Sequence, residues 1–272
     1  MPDELHRRLR PGAPPSSLTR LLAMAMVLVA AACSSDASSP TGPDPDPDPQ
    51  PDPYSHTQST GASAADLLSA DSYDSLVVQV QYVEGHRPTD EGLQIFRDFL
   101  TSRLNKPRGI SIQIEPIQIQ SQATYSVEDV VALEQEHRTA FTEGSTLAIY
   151  FLFLDGEFSD NANVLGFAYY NTSMAIFQEK IEENTGGALQ PSQSTVEGIV
   201  LNHEIGHNLG LVANGSPMQT EHQDEENGKH CDNENCLMYF AVRTTDFIQN
   251  LTGDGPVLDQ NCIDDLQANG GK

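Results

Sequence analysis

The stretch His203–Leu211 restricts the folds open to this chain more than any other part of the sequence. It reads His-Glu-Ile-Gly-His-Asn-Leu-Gly-Leu. Residues four positions apart share one face of an α-helix, so His203 and His207 can bind a single metal ion. Glu204 can reach a water on that ion as a general base, and Gly210 suits the left-handed position at which helices end. The stretch therefore predicts a helix that carries two metal ligands and a base.

The helix predicted over residues 195–209 is apolar on the histidine side and also on the opposite side. Its apolar residues are Val196, Ile199, Val200, Leu201, Ile205 and Leu209. A helix that is apolar all round is buried. A buried histidine needs a polar partner, and a metal ion is a suitable one. The run Ser194-Thr195-Val196-Glu197 matches a capping box, which predicts where this helix begins.

The two helix histidines need a third ligand, because a catalytic zinc site as a rule has three protein ligands and one open position. Beyond Gly210 the chain offers His222, His230 and carboxylates such as Glu221 and Asp224. Ligand chemistry alone leaves all of these candidates open.

The pattern H-E-x-x-H-x-x-G resembles the opening of the signature of the metzincin metalloendopeptidases. That family has a third histidine three residues after the glycine, where this chain has Ala213. The rest of the signature is found downstream, since residues 230–238 read H-C-x-x-x-x-C-x-M, as in archaemetzincins. Matrixins place their third histidine at the same distance before a Leu-Met-Tyr turn. The resemblance implies a split signature, with residues 211–229 as an insertion.

The resemblance also implies a role for each residue of the split signature. The expected zinc ligands are His203, His207 and His230, and His222 is the alternative third ligand. Glu204 is the expected general base. Met238 is expected to form an apolar floor under the histidines without binding the metal, and Tyr239 is expected to serve in packing. The implied reaction is zinc-dependent hydrolysis of peptide bonds.

Apolar patterns upstream of the motif predict alternating strands and helices. Strands are expected over residues 76–83, 110–114 and 146–154, and helices over residues 88–104 and 126–141. This order implies a parallel sheet. Residues 164–177 form a further β region, which is either an edge that pairs with an extended peptide or a plain hairpin.

The fold class expected from these patterns and from the resemblance is α/β (α+β), a metzincin-like zincin fold. Its parts are a twisted, mostly parallel sheet with an antiparallel edge strand, a long active-site helix, and a small C-terminal subdomain with a Met-turn. Short helices are expected near residues 243–248 and 259–268.

The pairing of the cysteines stays open. Export favours disulfides, so Cys231 can pair with Cys236, or either can pair with Cys262. Archaemetzincins hold a second, structural zinc with four cysteines, but this chain lacks their C-terminal C-x-x-C. Three thiolates and His222 form another possible zinc site.

The first residues of the chain resemble an export signal. Several arginines precede the apolar run 21–32, which is too short to span a membrane comfortably, and Cys33 follows. The residues Val-Ala-Ala-Ala-Cys resemble a bacterial lipobox, which implies cleavage before Cys33 and a lipid on its sulfur. An ordinary signal peptide is the alternative. We expect an exported lipoprotein of the cell envelope, on the outer membrane or the cell surface, that touches the membrane only through its lipid.

Three segments are therefore expected: a signal peptide over residues 1–32, the lipidated cysteine with a disordered Pro/Asp-rich tether over 33–65, and the metalloprotease domain over 66–272. The net charge of −25 makes nucleic acid an unsuitable partner. The same acidity allows calcium sites, with the cluster Asp224-Glu225-Glu226 as one candidate.

The sequence thus predicts a zinc metalloendopeptidase that acts on proteins or peptides. Two other classes stay open. One is a catalytically inactive surface protein that keeps the fold as a binding module, against which the presence of Glu204 argues. The other is a hydrolase of amide bonds in cell-wall polymer.

Overall fold

The computed structural model describes residues 54–272. The predicted signal peptide, the lipidation site Cys33 and most of the predicted tether lie outside the described residues. Among the helices of residues 54–272, none is both long enough and apolar enough to cross a membrane.

The described chain contains seven α-helices, one 3-10 helix and seven strands. The helices are α1 Ala64–Leu68, α2 Asp90–Arg103, α3 Val127–His137, α4 Gln178–Glu183, α5 Gln193–Asn208, α6 Thr245–Asn250 and α7 Gln260–Ala268, and the 3-10 helix is Phe240–Arg243. The strands are β1 Ser75–Val83, β2 Ile110–Ile117, β3 Thr124–Tyr125, β4 Thr146–Leu154, β5 Glu157–Phe158, β6 Gly166–Tyr170 and β7 Ser173–Phe177.

Five of the strands form one sheet in the order β2-β1-β4-β7-β6. The pairs β1–β2, β1–β4 and β4–β7 are parallel, and β6 runs antiparallel to β7 at the edge. The predicted fold class, a mostly parallel sheet with an antiparallel edge strand, is confirmed. The β region predicted over residues 164–177 is the hairpin of β6 and β7.

Both faces of the sheet are covered, as expected for parallel strands. On β4, Ile149, Phe151 and Phe153 belong to the larger core, which also includes residues of α2 and α5. The alternate residues Leu152 and Leu154 belong to a smaller core with Val130 of α3. Both faces of β4 are therefore buried, each in a different core. This is why apolar and polar residues do not alternate along this strand in the sequence.

The start of α5 differs from the predicted capping box. The helix begins at Gln193, and the N-cap is Ser192, whose Oγ accepts a hydrogen bond from the Thr195 amide at 3.1 Å. Glu197 is fully buried, and its carboxylate accepts bonds from the Thr89 amide at 2.9 Å and from Gln178 Nε2 at 2.6 Å. The predicted capping box is therefore wrong, because Glu197 accepts hydrogen bonds from two residues distant in sequence, Thr89 and Gln178, and not from the start of its own helix.

Packing against the domain begins before the predicted boundary at Asp66. Tyr54 is buried, and its hydroxyl donates to Ser63 Oγ. Asn171, between β6 and β7, donates through Nδ2 to the same Ser63 oxygen at 2.7 Å. Residues 54–65 therefore form part of the folded unit and not of a tether.

Candidate metal centre

The helix α5 carries the first two predicted ligands. His203 and His207 lie one turn apart, and their ring centroids are 4.9 Å from each other. After Asn208 the helix stops, and Gly210 adopts φ +79°. The Leu211 amide donates back to the Gly206 carbonyl at 3.2 Å, a bond typical of a glycine-terminated helix. The predicted helix end at Gly210 is confirmed.

His230 completes a group of three histidines. Its ring centroid lies 5.4 Å from that of His203 and 5.0 Å from that of His207. One ring nitrogen of each residue lies within 4.8 Å of the others. The segment 211–229 makes this possible because it folds back on itself. The amide of Asp224 donates to the His230 carbonyl at 2.8 Å, which closes the loop beside the helix.

The ring orientation of two histidines is set by main-chain carbonyls. His203 Nδ1 lies 2.7 Å from the Leu237 carbonyl oxygen, and His230 Nδ1 lies 2.8 Å from that of Asn227. A carbonyl oxygen only accepts, so each Nδ1 carries the proton and donates. Each Nε2 then keeps its lone pair. Both Nε2 atoms are buried and have no hydrogen-bond partner within residues 54–272.

The protonation state of the histidines suits metal binding as well. Burial lowers the pKa of His203 to about 3, and burial likewise lowers the pKa of His207 well below its ordinary value. Neutral imidazoles with free Nε2 lone pairs are the form that binds zinc. Three such residues fit a tetrahedral zinc ion with one position left open.

Glu204 lies beside the three histidines. It is fully buried, and neither of its carboxylate oxygens has a partner in good hydrogen-bond geometry in the described part of the chain. Burial raises the pKa of Glu204 to about 7, and the positive charge of Arg243 and the nearby Ala168 amide oppose that rise. A Cβ atom on Gly166 of β6 would lie 3.2 Å from Glu204 Cγ, so this side chain rests against the edge strand. An unpaired buried carboxylate is costly and marks a functional position.

Met238 lies under the active-site helix. It is fully buried, and a Cβ atom built on Gly206 would lie only 2.4 Å from Met238 Sδ. The preceding residue, Leu237, supplies the carbonyl that orients His203. Tyr239 is half-buried and packs on Phe240, with ring centroids 4.7 Å apart. Met238 thus packs against α5 at Gly206, and its expected role as a floor under the histidines stays a prediction.

His222, the alternative third ligand, is not brought to the three histidines. It is buried, with Nε2 2.9 Å from Asp265 Oδ2 and Nδ1 3.4 Å from Cys231 Sγ. Glu221 is exposed. Of the ligands that the sequence left open, the structure places His230 beside the helix.

A second group of metal-ligand residues surrounds His222. It consists of His222, Cys231, Asp259 and Cys262, which offer ligand atoms within 4.8 Å of one another. Cys236 adjoins the group, with its Sγ 3.6 Å from Cys262 Sγ. All three cysteines are buried free thiols. Hydrogen bonds from the Cys231 and Cys262 thiols lower the pKa of Cys236.

Sequence reasoning missed Asp259 and Asp265 in this cluster. Asp259 Oδ2 lies 3.3 Å from Cys231 Sγ, and Asp265 holds His222. The spacing of Asp259 three residues before Cys262 was an available signal. For calcium the outcome differs: within residues 54–272 the acidic run 224–226 forms no group of converging ligands, so the structure gives the expected calcium site no support.

Arg243 is a further residue of the centre that the sequence did not single out. It ends the 3-10 helix that follows the Met238 turn and is half-buried. Burial sets the direction of the pKa shifts in the centre, and the charge of Arg243 opposes the rise for Glu204 and adds to the lowering for the three histidines. Its side chain forms no hydrogen bond or ion pair within residues 54–272.

Comparisons with known proteins show similarity of fold only. No family model and no curated protein matches the chain. Among solved structures, archaemetzincin from Methanopyrus kandleri is similar, with a TM-score of 0.48 and 16% identity over 73% of this chain and 96% of that one. Metalloproteinase-II from Bacteroides fragilis has a TM-score of 0.42 and 15% identity over 73% of this chain and 54% of that one.

Proposed function

We propose that this protein is a zinc-dependent metalloendopeptidase with metzincin-like architecture. The observation that carries the proposal is the convergence of His203, His207 and His230, whose neutral rings meet next to a buried, unpaired Glu204. The names of the two similar structures, an archaemetzincin and a metalloproteinase, agree with this chemistry.

In this proposal the three histidines would hold the ion, His203 and His230 through Nε2, and the Leu237 and Asn227 carbonyls fix the rings of those two residues. The ion supplies Lewis acidity, which activates a water molecule and polarises a peptide carbonyl. Glu204 accepts the proton of the attacking water and passes it to the departing amine nitrogen. Burial raises the pKa of Glu204 to about 7, so its carboxylate is a stronger base than an exposed glutamate.

The edge strand β6 is the proposed binding site for the substrate main chain. It pairs with β7 on one side only, and its first residue, Gly166, touches the Glu204 side chain. An extended peptide that adds to a free sheet edge is held by main-chain hydrogen bonds whatever its sequence. Such binding suits proteins or peptides as substrates.

The test is cleavage of a mixed peptide library by the purified protein, followed by mass spectrometry. We expect cleavage that stops on addition of a chelator and returns with about one equivalent of zinc at the histidine centre. A protein loaded with zinc that cleaves no peptide would refute the proposal.

Cell-wall polymer is digested in parallel, since release of wall fragments without peptide cleavage would favour the hydrolase of wall amides. Tight peptide binding without any hydrolysis would favour the inactive binding protein.

We also propose that Cys231, Cys236, Cys262 and His222 hold a second, structural zinc. His222, Cys231 and Cys262 offer ligand atoms within 4.8 Å of one another, together with Asp259, and Cys236 Sγ lies 3.6 Å from Cys262 Sγ. A disulfide between any two of the three cysteines would leave the third unpaired. We expect two zinc ions per chain in the native protein and one in Cys262→Ser. An intact mass two hydrogen atoms lower than that of the free thiols, together with a single zinc, would show a disulfide in place of the second ion.

Export and lipidation remain proposals carried by the sequence alone. We propose cleavage before Cys33 and a lipid on its sulfur, because an apolar run and small residues precede this cysteine. Metabolic labelling with palmitate should mark the wild-type chain and leave Cys33→Ser unlabelled. Equal labelling of both proteins would contradict the proposal.

A further inference from the structure

We propose that Arg243 binds a carboxylate of the substrate close to the scissile bond, and so gives the enzyme a preference for acidic peptides. The proposal rests on the metalloendopeptidase function proposed above. It assigns a substrate class to a centre whose histidines and glutamate do not by themselves select one.

The main chain places Arg243 at the rim of the metal centre. Its carbonyl accepts a hydrogen bond from the Leu165 amide at 2.8 Å, and Thr244 forms an antiparallel bridge with Val164. The next residue after Leu165 is Gly166, which touches Glu204. Arg243 is therefore tied to the entrance of β6, the strand proposed to hold the peptide.

The guanidinium of Arg243 lacks the protein partners that most other arginines of residues 54–272 have. Four other arginines of the described chain, Arg87, Arg97, Arg108 and Arg138, donate hydrogen bonds to protein oxygens. Arg243 is half-buried and has no such bond within residues 54–272. Glu204 is the nearby buried carboxylate, yet the two side chains form no ion pair.

The charge balance shows what kind of group fits beside Arg243. A cation next to a zinc site repels the ion, so Arg243 does not stabilise the loaded centre. The protein carries a net charge of −25 and repels acidic peptides as a whole. An arginine with five free N–H donors binds a carboxylate through two parallel bonds and offsets that repulsion locally. A substrate carboxylate is the group that satisfies this guanidinium.

The carboxylate has two possible sources, an Asp or Glu side chain and the C-terminus of the peptide. The experiment distinguishes them with one neutral, amide-capped parent peptide that the enzyme cleaves. One series places Glu or Gln at each of the positions flanking the scissile bond. The other series compares a free carboxylate with an amide at the C-terminus, at increasing distance from the scissile bond.

We expect the wild-type enzyme to cleave the best carboxylate peptide roughly 10–100-fold more efficiently, in kcat/KM, than its neutral partner. In Arg243→Gln this ratio should fall to about one through a higher KM for the carboxylate peptide. Arg243→Lys should keep part of the preference, because the charge stays and the paired bonds are lost. Arg103→Gln is the matched control, since Arg103 is another half-buried arginine, its buried Nε has no hydrogen-bond partner within residues 54–272, and it ends α2. It should keep the wild-type ratio.

Binding gives a second readout that does not depend on turnover. Zinc-loaded Glu204→Gln should bind the carboxylate peptide more tightly than the neutral one by a similar factor, and the added Arg243→Gln change should remove the difference. Zinc content and circular dichroism confirm that each variant is folded and loaded.

Equal efficiency of wild type on acidic and neutral peptides overturns the inference and leaves the peptidase proposal intact. A uniform fall of kcat on all peptides in Arg243→Gln also overturns it, because Arg243 would then act on the transition state.

Discussion

At the scale of single residues, the candidate centre depends on main-chain carbonyls as much as on its ligands. The Leu237 and Asn227 carbonyls hold His203 and His230 in the tautomer that leaves Nε2 free. Groups of this kind orient metal ligands and raise their basicity. The H-E-x-x-H motif showed His203, Glu204 and His207, but the carbonyl partners come from distant loops and carry no sequence signal. His230 was predictable only because its distance from Met238 resembles that in known metzincins.

The first prediction separates the two histidines that competed for the third ligand position. His230→Ala should lose the histidine-bound zinc and peptide cleavage, because two ligands hold zinc poorly. His222→Ala should keep cleavage, since His222 lies in the cysteine cluster. The measurement is zinc content together with the absorption of the cobalt-substituted proteins, in which only the thiolate site gives strong sulfur-to-metal bands. Loss of cleavage in His222→Ala, with His230→Ala still active, would reverse the assignment.

The second prediction concerns the contact between the helix and the residue beneath it. Gly206→Ala should destabilise the protein by about 1–3 kcal/mol, because the new methyl group overlaps Met238 Sδ in a packed interior. Gly187→Ala is the control, since its new methyl would meet only the flexible Gln190 side chain. Denaturant unfolding of the zinc-loaded proteins measures both. Equal stability of the two variants would show that Met238 does not support the helix.

At the scale of elements, α5 is held at its start by a residue far away in sequence and at its end by the loop that follows it. Glu197 near its start joins α5 to the N-terminus of α2 through the Thr89 amide. At its end, Asn214 Nδ2 donates to the His207 carbonyl at 3.0 Å, and Ser216 Oγ donates to the Leu209 carbonyl at 2.8 Å. The period of its apolar residues predicted the helix and its burial. The capping box was wrong because local spacing cannot show a competing partner in another element.

The third prediction tests the junction of α5 and α2. Glu197→Ala should lower the free energy of unfolding by roughly 2–3 kcal/mol, because buried donors of Thr89 and Gln178 lose their acceptor. Glu91→Ala, an exposed change in the first turn of α2, should have a much smaller effect. Thermal and denaturant unfolding provide the comparison. A similarly small effect in both variants would mean that water replaces the Glu197 contacts.

At the scale of the whole molecule, the sheet and α2 form a scaffold, and the chemistry lies on the sheet edge, α5 and the segments after it. Adjacent residues serve two sites: His230 joins the histidine centre, and Cys231 joins the cysteine cluster. The parallel direction of the strands followed from the alternation of strands and helices along the chain, since parallel strands need crossover connections. The path of residues 211–229 did not follow from any pattern, because a loop of that composition has no period to constrain it.

The measurement that tests the central claim most directly compares wild type with Glu204→Gln, both loaded with the same amount of zinc. The two side chains have nearly the same shape, so zinc binding and folding should be unchanged while the proton acceptor is lost. The account predicts a fall in the single-turnover rate of peptide cleavage of roughly 10²–10⁴-fold. Cleavage by Glu204→Gln at the wild-type rate, with zinc bound in both proteins, would contradict the account.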